Sequence, residues 1–411
     1  MGSDSLVNIQ TRNEISSVTI HLASSKSESN RALIINSFAN GILSNLSDAR
    51  DTQTMLKLLK SEEKELNVLD AGTTMRFLIA YFALTNQNKI LTGTPRMCER
   101  PIGILVNALR EIGTNIEYLG IDGFPPLELK GFLKQKTDRI SIRGDVSSQY
   151  ISAILMISPL LENGLIINLE GKVVSKPYIL MTLELMKKFG AIAEFMNESK
   201  IIVKPSKYQA SEFSVESDWS GASYWFSFVA IAEQAEVLLT GLKPDSLQGD
   251  YKIMEIMELL GVKSEFSPNG LLLTKINHKS SFSYNFSNCP DLAQTVAVVC
   301  AAKGIKAEFT GLESLKIKET DRVLALQNEL AKINASLEEV HENSWKLHPS
   351  KNIAEITDIS IETYDDHRMA MAFAPLATLM DLQIKKPSVV NKSYPSFWDD
   401  MEKAGFELKF S

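Results

Sequence analysis

One pattern of polar and hydrophobic positions recurs along this chain. A short stretch rich in Asp, Ser and Gly runs straight into a strongly apolar helical segment. The instances are SKSESNRALIINSFA, DAGTTMRFLIAYFA, DVSSQYISAILMI, DWSGASYWFSFVAIA, DLAQTVAVVCAA and DHRMAMAFAPLA. They begin at Ser25, Asp70, Asp145, Asp218, Asp291 and Asp366, at intervals of 45, 75, 73, 73 and 75 residues. Such regularity marks an internal repeat.

The second half of each repeat is patterned too. A β-like segment (KILTG, LIINLEG, EVLLTG, AEFTG) precedes an amphipathic helix closed by Gly or Asn. Gly113, Gly190, Gly261 and Asn334 lie 43, 45, 43 and 43 residues past their anchors, where left-handed C-caps belong. Alternating segments such as LLLTKI and SWKLHP follow and predict strands. Each repeat therefore reads β-α-β-α-β-β and is too small to bury both its helices alone. The first repeat is shortened, because TQTMLKLLK is followed within ten residues by Asp70 and leaves no room for a hairpin. The sixth runs out of chain, and the N-terminal VNIQTRNEISSVTIHLA predicts a strand pair that would complete it. The expected organisation is α/β with two domains of three repeats: residues 24–216, and residues 1–23 with 217–411.

Composition narrows the class. The 411 residues suffice for two or three domains, and no apolar run is long enough to span a bilayer. The N-terminus lacks the basic and apolar regions of an export signal, and Met1-Gly2 fits a myristoylation pattern poorly. Cys98, Cys289 and Cys300 are too scattered for a disulfide framework or zinc site, which suits the reducing cytoplasm, and Cys300 reads as a small core residue. A net charge of −7 disfavours nucleic acid or an anionic membrane as the main partner. A small anion remains open, given a local cluster of cations.

Such cations exist. LKIKETDRVL places five charges of both signs between Lys316 and Arg322, ahead of an apolar helix. Taken alone, that is a solvated, self-paired helix start. Yet Lys26, Arg31, Arg76 and Arg368 also sit at helix starts, where the helix dipole disfavours positive charge. With Arg96, Arg100, Lys318, Arg322 and Lys392 they make nine cations at loops and helix starts of separate repeats. That number suits two phosphate-bearing ligands. No Walker-type loop or dinucleotide fingerprint appears. No histidine pair has metal-ligand spacing; His21, His278, His341 and His348 read as surface residues. Asp291 and Glu319 are placed for proton transfer, although each alone could be a cap or an ion-pair partner. The residues thus point to a two-domain α/β enzyme working on phosphorylated anions by acid–base chemistry.

SKSESNR, AGTTMR, PRMCERPIG, GDVSSQY, VSKPY, LQGD, KETDR and DDHRMAM, in this order, resemble the signatures of the EPSP synthase family across essentially the whole chain. The resemblance implies two domains of three β-α-β-α-β-β repeats, each packed as an inside-out α/β barrel with the active site in the interdomain cleft. It implies transfer of the enolpyruvyl group of phosphoenolpyruvate to the 5-hydroxyl of shikimate 3-phosphate, without metal or organic cofactor, in a monomer. By position, Lys26, Ser27, Arg31, Ser147, Ser148, Gln149, Ser175, Tyr178, Asp291, Ser314 and Lys318 would hold shikimate 3-phosphate. Lys26, Gly72, Arg96, Gln149, Arg322, Arg368 and Lys392 would hold phosphoenolpyruvate. The catalytic groups would be Asp291 as base, Glu319 as proton donor to the methylene carbon, and Lys26.

Three departures stand out. Asp70 replaces the family's usual Asn and adds negative charge; Ser314 replaces an Asn; and the first repeat is short. Phe77 after Arg76 alters the packing expected near Gly72. Two alternatives remain open: transfer to UDP-N-acetylglucosamine, as in the sister enzyme, or a non-catalytic sugar-phosphate sensor on the same fold.

Overall fold

The computed structural model describes residues 5–145 and 147–411. Met1–Asp4, with the Met1-Gly2 start, and Val146 of GDVSSQY lie outside them. The chain divides into a continuous unit, Ser25–Val215, and a split unit made of Met1–Ser24 and Glu216–Ser411. The fold is mixed α/β in both.

In the continuous unit, Arg139–Arg143 pairs in parallel with Leu165–Glu170. The Ser148–Ile157 helix is the crossover between them, as a parallel connection requires. The next helix, Lys176–Lys188, leads into the antiparallel hairpin Ala193–Asn197 and Lys200–Val203, whose second strand closes the four-stranded sheet. Glu65–Asn67, Lys89–Thr92, Thr114–Tyr118 and Leu127–Phe132 repeat the arrangement. In the 45 residues between Ser25 and Asp70, Ile42–Ser44 pairs in parallel with Glu212–Ser214 in a sheet of only two strands.

The split unit holds three four-stranded sheets of this kind. The two N-terminal strands go to different sheets. Leu6–Ile9 inserts between Leu382–Lys385 and Leu408–Phe410 of the last repeat. Glu14–His21 instead runs parallel to Gln234–Thr240, in the sheet of the fourth repeat. The expectation that the pair would complete the last repeat therefore holds for one strand. The other finds a parallel edge that no local pattern announces.

The helices that begin the repeats form the cores. Trp219–Ile231 is buried at every position but one, and Gly72–Leu84 buries Met75, Phe77, Leu78, Ile79 and Phe82. Helices this apolar are stable only when covered on all sides. Each such large side chain contributes about 1.5–3 kcal/mol. The second helices are terminated as their sequences predict: Gly113, Gly190, Gly261 and Asn334 all have positive φ. Asn334, at φ 55°, shows that the short polar side chain substitutes for Gly there. Cys300 is a buried core residue, its thiol pushed up by burial. The histidines at 21, 278, 341 and 348 are exposed.

In three of the six polar starts the first residue itself caps the helix through its side chain. Ser25 accepts from the Glu28 N–H, Asp218 from Ser220 and Gly221, and Asp366 from Arg368. The other three carboxylates face arginines instead: Asp70 meets Arg50 at 2.6 Å, Asp145 meets Arg143 at 2.7 Å, and Asp291 meets Arg322 and Arg368. No described helix is long and apolar enough to cross a membrane.

Candidate active site

In the split unit the charges of KETDR are not spent on the helix surface. Asp321 caps the Arg322–Ala331 helix by accepting from the Val323 and Leu324 N–H groups. Arg322, the first helical residue and almost fully buried, is thereby aimed inward. Its guanidinium meets three carboxylates: Asp366 at 2.6 Å, Glu319 at 2.8 Å and Asp291 at 2.9 Å. Lys318 lies 3.7 Å from Asp291, whereas Lys316 turns to Glu339 on the surface.

Asp291 sits in a 3-10 turn ahead of the Ala293–Ala302 helix, and Arg368 binds it twice. Nη2 lies 2.8 Å from the carboxylate and Nη1 donates to the Asp291 carbonyl at 3.2 Å. Burial alone would raise the Asp291 carboxyl. Arg368, Lys318 and Arg322 overcome it and hold the group well below the usual carboxylate range, against a smaller push from Glu319. Asp291 is therefore ionised, as a proton acceptor must be. Burial lowers the Lys318 amine, and Asp291 offsets part of that.

Behind Asp291 lies a carboxylate that the sequence pattern does not single out. Asp250, in LQGD, is buried and accepts from Ser220 Oγ. Burial first, then the charge of Asp291, pushes Asp250 up to about 6. Asp366, marked in the sequence as a repeat start rather than as a site residue, links the two arginines: it accepts from Arg322 Nε and from the Arg368 N–H at 2.9 Å. Both residues lie in motifs that resemble the family, which is the signal that could have found them. Lys392 is buried and donates to the Asp365 carbonyl at 2.6 Å. Ser314 is half-buried in the Glu313–Ile317 turn.

The continuous unit gathers a second set. Lys26, the first residue of the Lys26–Ala39 helix, lies 3.1 Å from Asp51. Arg31, one turn on, donates to the Ser27 carbonyl, Thr182 Oγ1 and Ser152 Oγ at 2.9, 2.7 and 3.1 Å. Its guanidinium lies over the rings of Phe77 and Tyr178, 5.4 and 5.9 Å from their centroids. Phe77 thus packs against Arg31. Desolvation lowers the Arg31 guanidinium to about 10, with Tyr178 and Glu28 pulling the other way.

Ser147 caps the Ser148–Ile157 helix and accepts from the Gln149 N–H; Ser148 is buried. Gln149 Nε2 reaches Thr73 Oγ1 at 3.0 Å, in the first turn of Gly72–Leu84. Ser175 holds a left-handed φ of 54° before the Lys176–Lys188 helix. Arg76 donates to the Gly72 and Pro101 carbonyls. The two arginines of PRMCERP part company. Arg96 is half exposed and pairs with Glu99 at 3.2 Å. Arg100 is buried so closely against Gly72 that a Cβ there would come within 2.7 Å of its Nη1. Asp70, the family departure, has its charge met by Arg50. Among the described residues no three of His, Cys, Asp or Glu come together as metal ligands would.

Two independent sets thus emerge: an ionised carboxylate with cations and a second carboxylate, and a group of buried or half-buried cations beside hydroxyls and helix N-termini. Comparison with known proteins adds to this. The sequence model of the family described as EPSP synthase (3-phosphoshikimate 1-carboxyvinyltransferase) matches residues 60–401. A 3-phosphoshikimate 1-carboxyvinyltransferase of Bacteroides fragilis is 48% identical over 398 residues, 95% of this chain and 96% of that protein. One of Vibrio atlanticus is 36% identical, covering 93% of this chain and 96% of its own. A solved structure of EPSP synthase from Acinetobacter baumannii superposes with a TM-score of 0.77 at 19% identity, covering 99% of this chain and 100% of that one.

Proposed function

The chain belongs to the EPSP synthase (3-phosphoshikimate 1-carboxyvinyltransferase) family, and from that premise we propose that it transfers the enolpyruvyl group of phosphoenolpyruvate to the 5-hydroxyl of shikimate 3-phosphate, releasing phosphate. The observation that carries the reading is Asp291 held ionised by Arg368, Lys318 and Arg322, while Arg322 also holds Glu319.

The chemistry follows from these neighbours. Asp291 takes the proton of the 5-hydroxyl. Glu319 gives a proton to the methylene carbon of phosphoenolpyruvate, and the sugar oxygen bonds to the adjacent carbon as the double bond is consumed. The result is a tetrahedral ketal. Glu319 then takes a proton back from the new methyl group, the double bond re-forms, and the bond to the phosphate oxygen breaks. The proton first removed from the hydroxyl leaves with phosphate. Cations around both phosphates spread the developing charge. Glu319 has to arrive protonated, and an anion drawing Arg322 toward itself would loosen the pair between Arg322 and Glu319.

Arg322, Arg368 and Lys392, with Gly72, Arg96 and Gln149, would bind phosphoenolpyruvate, and Arg100, buried against Gly72, would add its charge to that helix start. Ser27, Arg31, Ser147, Ser148, Gln149, Ser175, Tyr178, Lys318 and Ser314 would bind shikimate 3-phosphate, and Lys26 would serve both. We place the reaction in the cytoplasm and in a monomer.

The test is phosphate release on mixing the protein with phosphoenolpyruvate and shikimate 3-phosphate, beside a reaction with UDP-N-acetylglucosamine as acceptor. Release with shikimate 3-phosphate alone is expected. Release with the nucleotide sugar would overturn the acceptor, and silence with both in a protein that binds shikimate 3-phosphate would favour a sensor.

A further inference from the structure

Two side chains beside the Arg368–Asp291 pair belong to neither substrate set assigned above. Asp250, 3% exposed, closes the LQGD stretch, and Ser220 lies in the first turn of the Trp219–Ile231 helix. The Ser220 hydroxyl donates to Asp250 Oδ2. A hydroxyl has one hydrogen and two lone pairs, so that bond commits the hydrogen and leaves the oxygen to accept.

Arg368 uses the oxygen so oriented. Its Nη2 donates to Ser220 Oγ at 3.3 Å and to Asp291 Oδ2 at 2.8 Å. The two hydrogens of one nitrogen are thus divided between the ionised carboxylate and the hydroxyl. Nη1 donates to the Asp291 carbonyl at 3.2 Å and to the Tyr224 hydroxyl at 3.5 Å.

Both members of the Ser220–Asp250 pair are set by one buried network. Glu216 accepts from Ser246 Oγ at 2.6 Å and from Gln248 Nε2 at 3.1 Å, which fixes the segment leading to Asp250. Gln248 Oε1 accepts from the Trp219 N–H at 3.1 Å, next to Ser220. A buried polar network satisfied in this way specifies one geometry.

We propose that Ser220 and Asp250 are positioning residues for Arg368: Asp250 takes the Ser220 hydrogen, and the Ser220 oxygen holds the guanidinium in place for phosphoenolpyruvate. The assignment rests on the enolpyruvyl-transfer reading, which gives Arg368 to that substrate.

The test measures both KM values, kcat and unfolding midpoints for Ser220→Ala, Asp250→Ala, Asp250→Asn and the double variant Ser220→Ala/Asp250→Ala. Loss of one positioning hydrogen bond predicts a rise of roughly 3- to 10-fold in KM for phosphoenolpyruvate in Ser220→Ala and in Asp250→Ala. The KM for shikimate 3-phosphate should stay within about 2-fold. Because the two residues act in series, the double variant should be no worse than the poorer single one. Asp250→Asn keeps an acceptor for the Ser220 hydrogen and should recover most of the loss.

An unchanged KM for phosphoenolpyruvate in Ser220→Ala overturns the proposal. So do additive effects with no recovery in Asp250→Asn, which would mean that Asp250 acts through its charge. A parallel rise in both constants with lowered midpoints overturns it too, as the mark of a structural prop. If the wild type itself shows no turnover, the transferase reading fails instead, and calorimetric titration with phosphoenolpyruvate decides the pair. Equal affinity in wild type and Ser220→Ala, or no binding by the wild type, then overturns the positioning role.

Discussion

Arg322 and Arg31 are both almost fully buried, one in each unit, and they are satisfied by opposite means. Arg322 is enclosed by the carboxylates of Asp291, Glu319 and Asp366. Arg31 donates to two hydroxyls and a carbonyl and lies over two aromatic rings. Proton transfer needs titratable partners, so the cation there is held by groups whose charge can change. Neutral acceptors orient Arg31 without cancelling the charge that a phosphate would meet there.

The comparison breaks first if Asp291 is dispensable. Asp291→Asn removes the acceptor while keeping shape, and kcat should fall on the order of 10²- to 10⁴-fold with shikimate 3-phosphate binding retained. More than a tenth of wild-type turnover would show that the base lies elsewhere. Next, the two arginines should separate in denaturant titrations. Arg322→Met leaves three carboxylates facing one another and should lower the unfolding free energy by about 3–5 kcal/mol. Arg31→Met strands neutral groups and should lower it by about 1–3 kcal/mol, with the larger consequence seen in the KM for shikimate 3-phosphate. Equal losses of stability would erase the distinction.

Asp250 sharpens the contrast through pH. Its folded-state carboxyl is raised to about 6 from an ordinary 3.8, so the folded chain binds this proton more tightly than the unfolded one. The stabilisation is fully present below about pH 4 and lost as pH rises through about 6. Asp291 has the opposite sign: its lowered carboxyl stabilises the fold above about pH 4, and that contribution fades as acid protonates the group. Stability curves of the wild type and Asp250→Asn should therefore diverge between pH 4 and 6, with the variant gaining relative to the wild type as pH rises. Parallel curves would show that Asp250 titrates normally. The smallest effect belongs to Lys316, three residues from Glu319 but exposed, against Glu339 and the Trp345 ring. Lys316→Ala should alter stability by no more than about 1 kcal/mol and leave both KM values unchanged.

Local chemistry makes much of this protein legible in its sequence. The polar-to-apolar switch at each repeat start, the left-handed residues at Gly113, Gly190, Gly261 and Asn334, and the order of SKSESNR through DDHRMAM determine helices, family and reaction, because each depends on neighbours within a few residues. Pairing across long separations lies beyond that reach. Asp291, Arg322 and Asp366 are 31 and 44 residues apart and meet only because two repeats bring three helix starts together. Nothing in DLAQT or DDHRM states that one carboxylate would be ionised by Arg368, or that Asp250 would be buried behind it. The same holds for the parting of Leu6–Ile9 from Glu14–His21, for the meeting of Arg50 with Asp70, and for which arginine of PRMCERP turns inward. A strand's choice of edge and a charge's degree of burial are set by what packs over them, so tertiary structure alone decided those.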